Sequence, residues 1–487
     1  RVLTYLAITF TILLAGTFIL SKVDTGWGYE YIPYEENEYV EHHEPKYVFL
    51  IILDATRFDW LSTEGYDIET PNLQSLADDG IYYANTIANS YWTKPTMASL
   101  FTSVLPKDHR TNYYTTPLNE ELPVLAEQFR NMGYYSIGVT NNPNLKTPQK
   151  YHRGFNNYTF LARGTLLPFV QQGPLLNRLA FTKRILSHRL YGNLPVFASG
   201  KATTEYSVNT IDYYRNNPLF AYIHYMDPHG PYYEHPYNGK SRHPRVEFTP
   251  EDSLERVTNL YKGELEYTDK WLGELIGYMK HSGIYDSSLI VLTADHGEEF
   301  FEHFCWSHII ALWDELIHVP LIIKPPFYEN GGKVDTSLVQ HLDIAPTMVE
   351  YAGGKPPDGW QGDNIFSPGY HNSSVISQCD GIYSIRSHKY KIMNTIPDYA
   401  EIRLSAPEFS HIDKRAVFPE ENVFNLIDDP HEKNNLAETE RGRQIMDSLI
   451  AASGVEELMI IPDVITEGGI ELDEETIEQL KAIGYLD

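Results

Sequence analysis

An uninterrupted apolar run at Tyr47–Leu53 constrains the fold of this 487-residue chain more than any other feature. A run without polar alternation is typical of a strand that is buried on both faces of a parallel sheet. The pattern also predicts helices, the longest from a Thr249 cap, with Pro250 at its first position, to about His281. Further apolar runs predict strands at residues 135–140, 219–224, 289–294 and 319–324. Strands that alternate with helices predict an α/β fold, a doubly wound and mostly parallel sheet flanked by helices.

The first residues of the chain predict a segment outside this fold. Residues 2–20 contain no charged side chain, and about 20 apolar residues in a helix cover the roughly 30 Å hydrocarbon core of a bilayer. We therefore predict a transmembrane helix at 1–22 and a single-pass protein of the cell membrane with its large domain on the extracellular side. A secretory signal peptide and a buried core helix are the alternatives. Sequons at Asn157 and Asn372 agree with an extracellular glycoprotein.

The rest of the chain divides by composition. Residues 23–45 form an acidic, Tyr-rich linker, 46–365 an α/β domain, and 366–487 a smaller C-terminal α+β subdomain with a tail.

The charge and the cysteine content exclude several classes of protein. The formal net charge of −28 excludes a general nucleic-acid binder. The two cysteines exclude a disulfide scaffold and a thiolate-rich metal cluster.

Side chains that can bind a metal follow three of the predicted strands. They are Asp54 after the first strand, Asp227 and His229 shortly after another, and Asp295 and His296 directly after a third. In doubly wound sheets, ligands bind beyond the carboxyl ends of the strands. A single such Asp is usually a turn or helix cap, but three strand ends of this kind predict a shared metal or anion site.

A hydroxyl group lies where a helix is predicted to begin. Pro95 suits the first turn of a helix and puts Thr93 at or next to the helix N-terminus. Backbone N–H groups and the helix dipole there bind a phosphate or sulfate. A hydroxyl that also binds a divalent cation can lose its proton near neutral pH and attack the anion in line. The alternative is that Thr93 is only an N-cap.

These segments resemble the sulfatase branch of the alkaline phosphatase superfamily. The motifs occur in order and at the family's spacing from about residue 46 to the end of the chain. They are Asp54 with Arg57, 70–73 (TPNL), 93–102 (TKPTMASLFT), 224–232 (HYMDPHGPY), 293–298 (TADHGE), 316–323 (LIHVPLII), 343–347 (DIAPT) and 425–436. Each motif is weak alone, whereas the ordered set is highly specific.

The resemblance implies a catalytic metal centre. The family has a divalent cation held by strand-end acids and a nucleophile at the helix N-terminus. Carried onto this chain, the cation ligands are Asp54, Thr93, Asp295 and His296, and the catalytic nucleophile is Thr93. The donor set suits Mn²⁺, Zn²⁺ or Mg²⁺ better than Ca²⁺, which prefers six to eight oxygens, but the identity of the metal stays open.

The resemblance also implies residues that bind an anionic ester substrate. His229 lies where the family has a histidine that binds the anion or protonates the leaving group, so we predict it to be catalytic and substrate-binding. His308 lies roughly where many sulfatases have an anion-binding lysine, with a surface-loop histidine as the alternative. Lys94, next to the nucleophile, is assigned to substrate binding. A second cation between Asp227, His229 and His308 is a further possibility that the sequence leaves open.

Three positions depart from the sulfatase pattern. Thr93 replaces the Cys or Ser that sulfatases oxidise to formylglycine, Met97 replaces an arginine, and Ala55 replaces a second acid. A threonine nucleophile is similar to that of the phosphodiesterases, phosphoethanolamine transferases and lipoteichoic-acid-type transferases of this superfamily. We therefore predict a membrane-anchored, metal-dependent hydrolase or transferase of phosphate esters that works through phospho-Thr93. The alternatives are a sulfuric ester hydrolase and a catalytically inactive binding or surface structural protein.

Residues 128–204 contain no acidic side chain but ten basic ones. In a protein with an overall acidic charge, such a local excess of basic residues indicates that this segment has a distinct role. We predict an insertion that forms a lid near the active site and contacts anionic lipid head groups, at about 1 kcal/mol for each basic residue. The alternative is an ordinary insertion that packs on the acidic body.

Overall fold

The computed structural model describes residues 45–161, 197–236, 241–242, 254–308, 310–328, 331–397, 419–455, 458–460 and 471–482. The predicted transmembrane helix, nearly all of the acidic linker and the middle of the basic insertion lie outside these ranges. Within them, no helix combines the length and the hydropathy that crossing a bilayer requires.

The described residues form seventeen strands and ten α-helices. The strands are β1 Tyr47–Leu53, β2 Ile81–Ile87, β3 Tyr135–Thr140, β4 Asn157–Phe160, β5 Leu219–Tyr225, β6 Tyr232–Tyr233, β7 Ser241–Arg242, β8 Ser288–Ala294, β9 Glu299–Phe300, β10 Trp306–Ser307, β11 His318–Val319, β12 Leu321–Lys324, β13 Lys333–Gln340, β14 Val375–Cys379, β15 Ile382–Arg386, β16 Tyr390–Thr395 and β17 Val423–Asn425. The helices are α1 Pro71–Asp78, α2 Thr93–Thr102, α3 Pro106–His109, α4 Leu125–Asn131, α5 Gly200–Tyr214, α6 Leu254–His281, α7 Asp314–Ile317, α8 Ile344–Tyr351, α9 Glu440–Ser453 and α10 Glu474–Ala482.

Nine strands form the central sheet in the order β11-β2-β12-β8-β1-β5-β3-β4, with β13 paired to β2. The five strands from β8 to β4 run parallel, which confirms the mostly parallel sheet that the apolar runs predict. β11 and β12 run antiparallel to β2. The predicted strand at 319–324 is divided between them at Pro320, since proline has no N–H to donate to a ladder.

Helices cover both faces of the sheet. Val48, Leu50 and Ile52 of β1 pack in one core with side chains of α2, α4 and α8. Phe49 and Ile51, which point the opposite way, pack with side chains of α1, α5 and α6. Because every residue of β1 is buried, this strand lies at the centre of the molecule, and the residue that follows it emerges inside the protein.

The C-terminal strands β14 to β17 form a separate antiparallel sheet with α9 packed against it, the smaller α+β unit that the sequence predicts. The Ser377 hydroxyl donates to the Ala88 carbonyl at 2.6 Å, and the Gln378 N–H donates to the Asn89 carbonyl at 2.8 Å. These bonds fix the small sheet directly beside the loop that leads into α2.

Both predicted sequons lie in ordered structure. Asn157 is buried in β4, where its Oδ1 accepts a hydrogen bond from Thr159. Asn372 donates from Nδ2 to the Leu338 carbonyl and to Asp343 Oδ2. Glycosylation stays a prediction.

Candidate active site

Two strand ends meet at one level of the central sheet. β1 pairs in parallel with β8 over its full length, and Leu53 lies opposite Ala294. The next residues, Asp54 and Asp295, therefore leave the sheet side by side. The Asp295 Oδ1 atom accepts hydrogen bonds from the backbone N–H groups of Ala55, at 3.1 Å, and of His296, at 2.9 Å. The register of two strands thus brings together carboxylates that are 241 positions apart in the sequence.

Ala55 turns the chain where the sulfatase pattern has a second acid. Its φ angle is 52°, in the left-handed region that a residue with a Cβ rarely adopts. This turn points the Ala55 N–H at Asp295, and the Ala55 carbonyl accepts from the Tyr261 hydroxyl at 2.8 Å. The backbone of this residue therefore supports the site that its side chain does not reach.

His296 completes a group of three metal-binding side chains. One ligand atom from each of Asp54, Asp295 and His296 lies within 4.8 Å of the others, and all three residues are fully buried. The His296 Nδ1 atom lies 2.8 Å from the Gly297 carbonyl, to which it donates, so Nε2 presents a lone pair. Nε2 is 3.7 Å from Asp54 Oδ1 and 3.5 Å from Asp295 Oδ2.

The nucleophile predicted at Thr93 lies beside this group. Thr93 is the first residue of α2, with Trp92 at the N-cap position. Its Oγ1 atom lies 3.3 Å from His296 Nε2. Trp92 takes the N-cap position, and the Thr93 hydroxyl contacts His296 and Asn142 instead, which is not the simple N-cap arrangement.

The residues fit a divalent cation. Within the described ranges, the buried Asp54 Oδ1 and Asp295 Oδ2 atoms lack a hydrogen-bond partner. A buried carboxylate oxygen without a donor is costly unless it binds a cation. The two oxygens face the His296 Nε2 atom, and such oxygen and nitrogen donors suit Mn²⁺ or Zn²⁺.

The two carboxyl groups differ in their affinity for protons. Burial raises the pKa of Asp295 above its ordinary value, and the charge of Asp54 raises it further. Burial also opposes ionisation of Asp54, but the neighbouring His229, His224 and His296 together hold its pKa below the ordinary value. Two buried carboxylates side by side therefore repel each other, and a dication would remove that repulsion.

His229 and His308 lie against the same site. The ring centroids of His296 and His308 are 4.1 Å apart, and those of His229 and His308 are 4.9 Å apart. His229 donates from Nδ1 to the Gly230 carbonyl at 2.6 Å, and His308 Nδ1 lies 2.9 Å from Glu298 Oε1. Burial lowers the pKa of His229. His308 is 1% exposed, so the surface-loop alternative does not describe it.

Two basic residues of the predicted motifs make contacts to protein groups. Lys94 is buried, and its Nζ atom donates to the Tyr114 carbonyl at 2.6 Å and to Gln149 Oε1. Burial lowers the pKa of Lys94 well below its ordinary value. Arg57 forms ion pairs with Asp59 at 2.7 Å and with Glu302 at 2.6 Å. The substrate-binding role assigned to Lys94 stays a prediction.

Asp227 is engaged with α5. Its Oδ1 atom accepts from the N–H of Gly200, the first residue of α5, at 2.8 Å. Burial and the charge of Glu264 raise the pKa of Asp227 to about 7. Within the described ranges, Asp54, Asp295 and His296 form the one group of three or more such ligands close enough for a cation, so the second cation stays a prediction.

Two residues of this site are not among those predicted from the sequence. Asn142, shortly after β3, donates from Nδ2 to Asp54 Oδ2 at 2.8 Å and to Thr93 Oγ1 at 3.1 Å. His224, at the end of β5, lies with Nε2 2.8 Å from Asp54 Oδ2 and with Nδ1 2.7 Å from the Tyr222 hydroxyl. A polar residue just after a predicted strand is the signal that could have found Asn142, by the rule that found Asp54.

Two family models match the chain. The sulfatase model matches residues 46–354, which is more than half of the chain. The model of the C-terminal region of N-sulphoglucosamine sulphohydrolase matches residues 302–455. The first match includes every residue of the metal group and Thr93, and the second begins just before His308.

Individual proteins are similar over most of the chain. PehA of Trinickia caryophylli, described as a multifunctional alkaline phosphatase superfamily protein, is 24% identical over 392 residues, 66% of this chain and 76% of PehA. An ulvan-active sulfatase of Formosa agariphila is 21% identical over 478 residues, 89% of this chain and 86% of that protein. The structure of the phosphonate monoester hydrolase of Agrobacterium radiobacter has a TM-score of 0.64 at 20% identity, with 83% of this chain and 95% of that chain covered. This likeness shows a shared fold.

Proposed function

Because this chain belongs to the sulfatase family and is a hydrolase of the ester class, we propose that it cleaves phosphate esters through a covalent phosphothreonine at Thr93. The observation that carries the proposal is the position of the Thr93 hydroxyl. It lies at the first residue of α2, 3.3 Å from His296 Nε2, beside the Asp54 and Asp295 carboxylates. A helix N-terminus favours an anionic substrate at this hydroxyl.

The chemistry of threonine favours phosphorus over sulfur. A sulfatase oxidises its Cys or Ser to an aldehyde, whose hydrate has two hydroxyls on one carbon and can expel sulfate by losing the second proton. The Cβ atom of Thr93 carries a methyl group, so oxidation would give only a ketone. An ester of Thr93 must therefore be cleaved by an external nucleophile, which phosphate esters on threonine undergo. The likeness to a phosphonate monoester hydrolase supports the same choice.

The residues divide the reaction between them. A divalent cation bound by Asp54, Asp295 and His296 would lower the pKa of the Thr93 hydroxyl and offset the charge of the ester. Thr93 loses its proton to solvent, and Oγ1 forms a bond to phosphorus while the bond from phosphorus to the alcohol breaks. The departing alkoxide takes a proton from His229 in its protonated form. Water then attacks the phosphorus and gives a proton back to His229 as the bond to Oγ1 breaks. Thr93 regains a proton from solvent as phosphate leaves. An alcohol in place of water would make the reaction a transfer.

Sulfate esters are the second candidate substrate class. Both matching family models come from sulfatases, and the similarity to the ulvan-active sulfatase extends over 89% of the chain. In this case Thr93 Oγ1 would bond to sulfur as the sulfate ester breaks, and water would attack the sulfur to release sulfate. The same residues would serve both reactions.

A substrate panel tests the proposal. Aryl phosphate, phosphodiester, phosphonate ester and sulfate substrates are assayed with Mn²⁺, Mg²⁺, Zn²⁺ and Ca²⁺. We expect turnover of a phosphorus ester, and mass spectrometry of the Thr93 peptide after rapid quenching should show an added phosphoryl group. Thr93→Ala should lower kcat by about 10³-fold or more, since it removes the nucleophile.

Thr93→Ser is the matched control because it keeps the hydroxyl and should keep measurable turnover. Phosphoester turnover that survives in Thr93→Ala would show that Thr93 is not the nucleophile. Turnover of sulfate esters alone, with a sulfated Thr93 peptide, would select the second candidate.

We also propose that residues 2–20 anchor the protein in the cell membrane, and that the basic segment 128–204 contacts anionic head groups. The support is the length of the uncharged stretch and the excess of ten basic side chains. Membrane fractionation of two proteins, the whole chain and residues 46–487 alone, tests the anchor. We expect only the whole chain to sediment with membranes. Flotation of residues 46–487 with neutral and anionic vesicles tests the contact, and equal binding to both would contradict it.

A further inference from the structure

We propose that Asn142 is a catalytic residue that donates a hydrogen bond to the nucleophilic oxygen of Thr93, an inference that rests on the function proposed above. Asn142 is fully buried in the loop that follows β3. Its Nδ2 atom lies 3.1 Å from Thr93 Oγ1 and 2.8 Å from Asp54 Oδ2. One side-chain amide therefore contacts both the atom that attacks the ester and a carboxylate of the metal group.

A third contact fixes the orientation of this amide. Asn142 Oδ1 accepts from the backbone N–H of Asn144 at 2.9 Å, at the start of a short helical turn over Pro143–Leu145. Because a backbone N–H can only donate, the amide oxygen must face Asn144, and the NH₂ group must face Thr93 and Asp54. Its two hydrogens then match the two oxygen acceptors.

The Thr93 hydroxyl oxygen is the acceptor in this contact, because Asn142 Nδ2 can only donate. The hydroxyl hydrogen must then point away from Asn142, on the side of the metal group. When the hydroxyl loses that hydrogen, the Asn142 N–H still points at the oxygen that has become negative. A donor held in place before the charge develops stabilises it without reorganisation.

The donor is neutral, and the nearby basic side chains of the motifs do not take its place. The Lys94 Nζ atom contacts the Tyr114 carbonyl and Gln149, and the Arg57 guanidinium contacts Asp59. A neutral amide can stay bonded to Oγ1 after that atom has become the bridging oxygen of the phosphothreonine. The structure therefore gives Asn142 a role in both halves of the reaction.

His224 provides a matched control. Its Nε2 atom lies 2.8 Å from the same Asp54 Oδ2 atom that Asn142 contacts, while its Nδ1 atom bonds to the Tyr222 hydroxyl. His224→Asn removes a donor from Asp54 and leaves the Asn142–Thr93 bond in place. Comparing variants of His224 and Asn142 therefore separates an effect on Asp54 from an effect on the Thr93 hydroxyl.

The experiment compares the wild type, Asn142→Ala, Asn142→Asp and His224→Asn. Asn142→Asp keeps the oxygen that accepts from Asn144 but removes both donors. For each protein, calorimetric titration gives the affinity for Mn²⁺, and rapid-quench mass spectrometry with a phosphodiester gives the rate of Thr93 phosphorylation at saturating Mn²⁺. Thermal unfolding confirms that each variant is folded.

We expect Asn142→Ala and His224→Asn each to weaken Mn²⁺ binding by roughly 10-fold, because both remove a donor that orients Asp54. At saturating Mn²⁺, both Asn142 variants should phosphorylate Thr93 roughly 10- to 100-fold more slowly than the wild type, with KM changed by less than about 3-fold. The same rate in His224→Asn should be at least about 10-fold higher than in the Asn142 variants.

Equal phosphorylation rates in the Asn142 and His224 variants would overturn the inference, because Asn142 would then act only through Asp54. A wild-type rate in Asn142→Asp would also overturn it, because the acceptor alone would suffice. Both results leave Thr93 phosphorylation by the wild type intact. A wild type that turns over substrate without any phosphorylated Thr93 would instead overturn the proposed function, and the inference with it.

Discussion

The buried carboxylates of Asp54 and Asp295 lead to a prediction about metal removal. Because these buried carboxylates repel each other, the folded protein should be less stable after chelation. Bound Mn²⁺ at 100 times its Kd adds about 2.7 kcal/mol to the free energy of unfolding, which corresponds to a rise in Tm of roughly 5 °C. Differential scanning fluorimetry of the chelated protein with increasing Mn²⁺ measures the shift.

Variants of two buried acids locate the source of that shift. Asp295→Asn should abolish the Mn²⁺-dependent rise in Tm because it removes a ligand. Asp227→Asn should retain the full rise, since Asp227 accepts from Gly200 at the start of α5. A rise that survives in Asp295→Asn, or one that is halved in Asp227→Asn, would contradict the single site of Asp54, Asp295 and His296.

The proton donor to the leaving group can be identified from the substrate. If His229 protonates the departing alkoxide, His229→Gln should lower kcat by about 10²- to 10⁴-fold for alkyl esters, whose leaving groups are basic. The loss should be much smaller for p-nitrophenyl esters, whose leaving group needs no proton. Steady-state kinetics with both ester types measures the difference. His308→Gln is assayed on the same two ester types for comparison with His229→Gln. An equal loss on both esters would assign His229 to anion binding.

At the scale of residues, strand ends predict the three members of the metal group, although Asp227 also follows a strand and contacts α5 instead. Asp54, Asp295 and His296 follow buried apolar runs, so sheet topology alone places them at one edge. The roles of Asn142 and His224 depend on side-chain contacts across strands that are far apart in the sequence. An asparagine after a strand is usually part of a turn, so the position of Asn142 alone does not distinguish a site residue from a turn residue.

At the scale of elements, an ion-pair cluster joins the C-terminal sheet to the catalytic domain. Asp314, the first residue of α7, lies 3.0 Å from Arg386 of β15 and 2.8 Å from Lys391 of β16. The Lys391 ammonium is buried and also lies 2.8 Å from Glu432. Burial opposes ionisation of Asp314, but Arg386 and Lys391 hold its pKa below the ordinary value of 3.8. This carboxylate therefore ties two sheets together.

The lowered pKa of Asp314 predicts a pH dependence of stability. The unfolded chain binds a proton at this carboxyl near pH 3.8, whereas the folded protein does so only at lower pH. The stabilisation is therefore complete above about pH 5 and is lost as the pH falls below 4. We expect Asp314→Asn to lower the free energy of unfolding by about 3 kcal/mol at pH 7 and by less at pH 3.5, measured by urea unfolding.

Asp335→Asn is the control for that measurement. Asp335 pairs with Lys333 at 2.8 Å on the surface, where ion pairs contribute about 0–1 kcal/mol. A loss at Asp314 as small as that at Asp335, or one that does not change between pH 7 and 3.5, would contradict the proposed link between the sheets.

The elements themselves were predictable where their residues are uniformly apolar. β1, β3, β5 and β8 coincide with predicted strands, and α6 ends at His281 as predicted. β2 was missed because its sequence, IYYANTI, contains Ala and Asn and lacks a continuous apolar run. The antiparallel direction of β12 depends on the path of the chain between strands, which residue patterns do not record.

At the scale of the whole molecule, the last described helix supports the site from a distance. Lys146, four residues after Asn142, donates from Nζ to Thr476 Oγ1 of α10 at 3.0 Å, and Leu480 of α10 is buried. Deletion of residues 471–487 should therefore loosen the loop that holds Asn142. We expect faster amide hydrogen exchange at residues 141–146 and a kcat lowered by roughly 10-fold with little change in KM.

Exchange in β1 should stay slow in that deletion variant, because the backbone of this buried central strand is hydrogen-bonded to β5 on one side and to β8 on the other. Thr476→Val, which removes the acceptor for Lys146, is the milder variant and should accelerate exchange at the same residues. Unchanged exchange at residues 141–146 in both proteins would show that α10 does not support the loop.

The spacing of the site residues has a consequence for the newly made protein. Asp54, Thr93, Asn142, His229 and Asp295 lie on five separate segments, and the central strand β1 needs both β5 and β8 to reach its final register. A polypeptide still growing on the ribosome therefore lacks a complete centre until Asp295 has emerged. Fragments released before that point would contain Thr93 but lack Asp295 and His296. Incomplete synthesis should therefore not produce an active ester hydrolase.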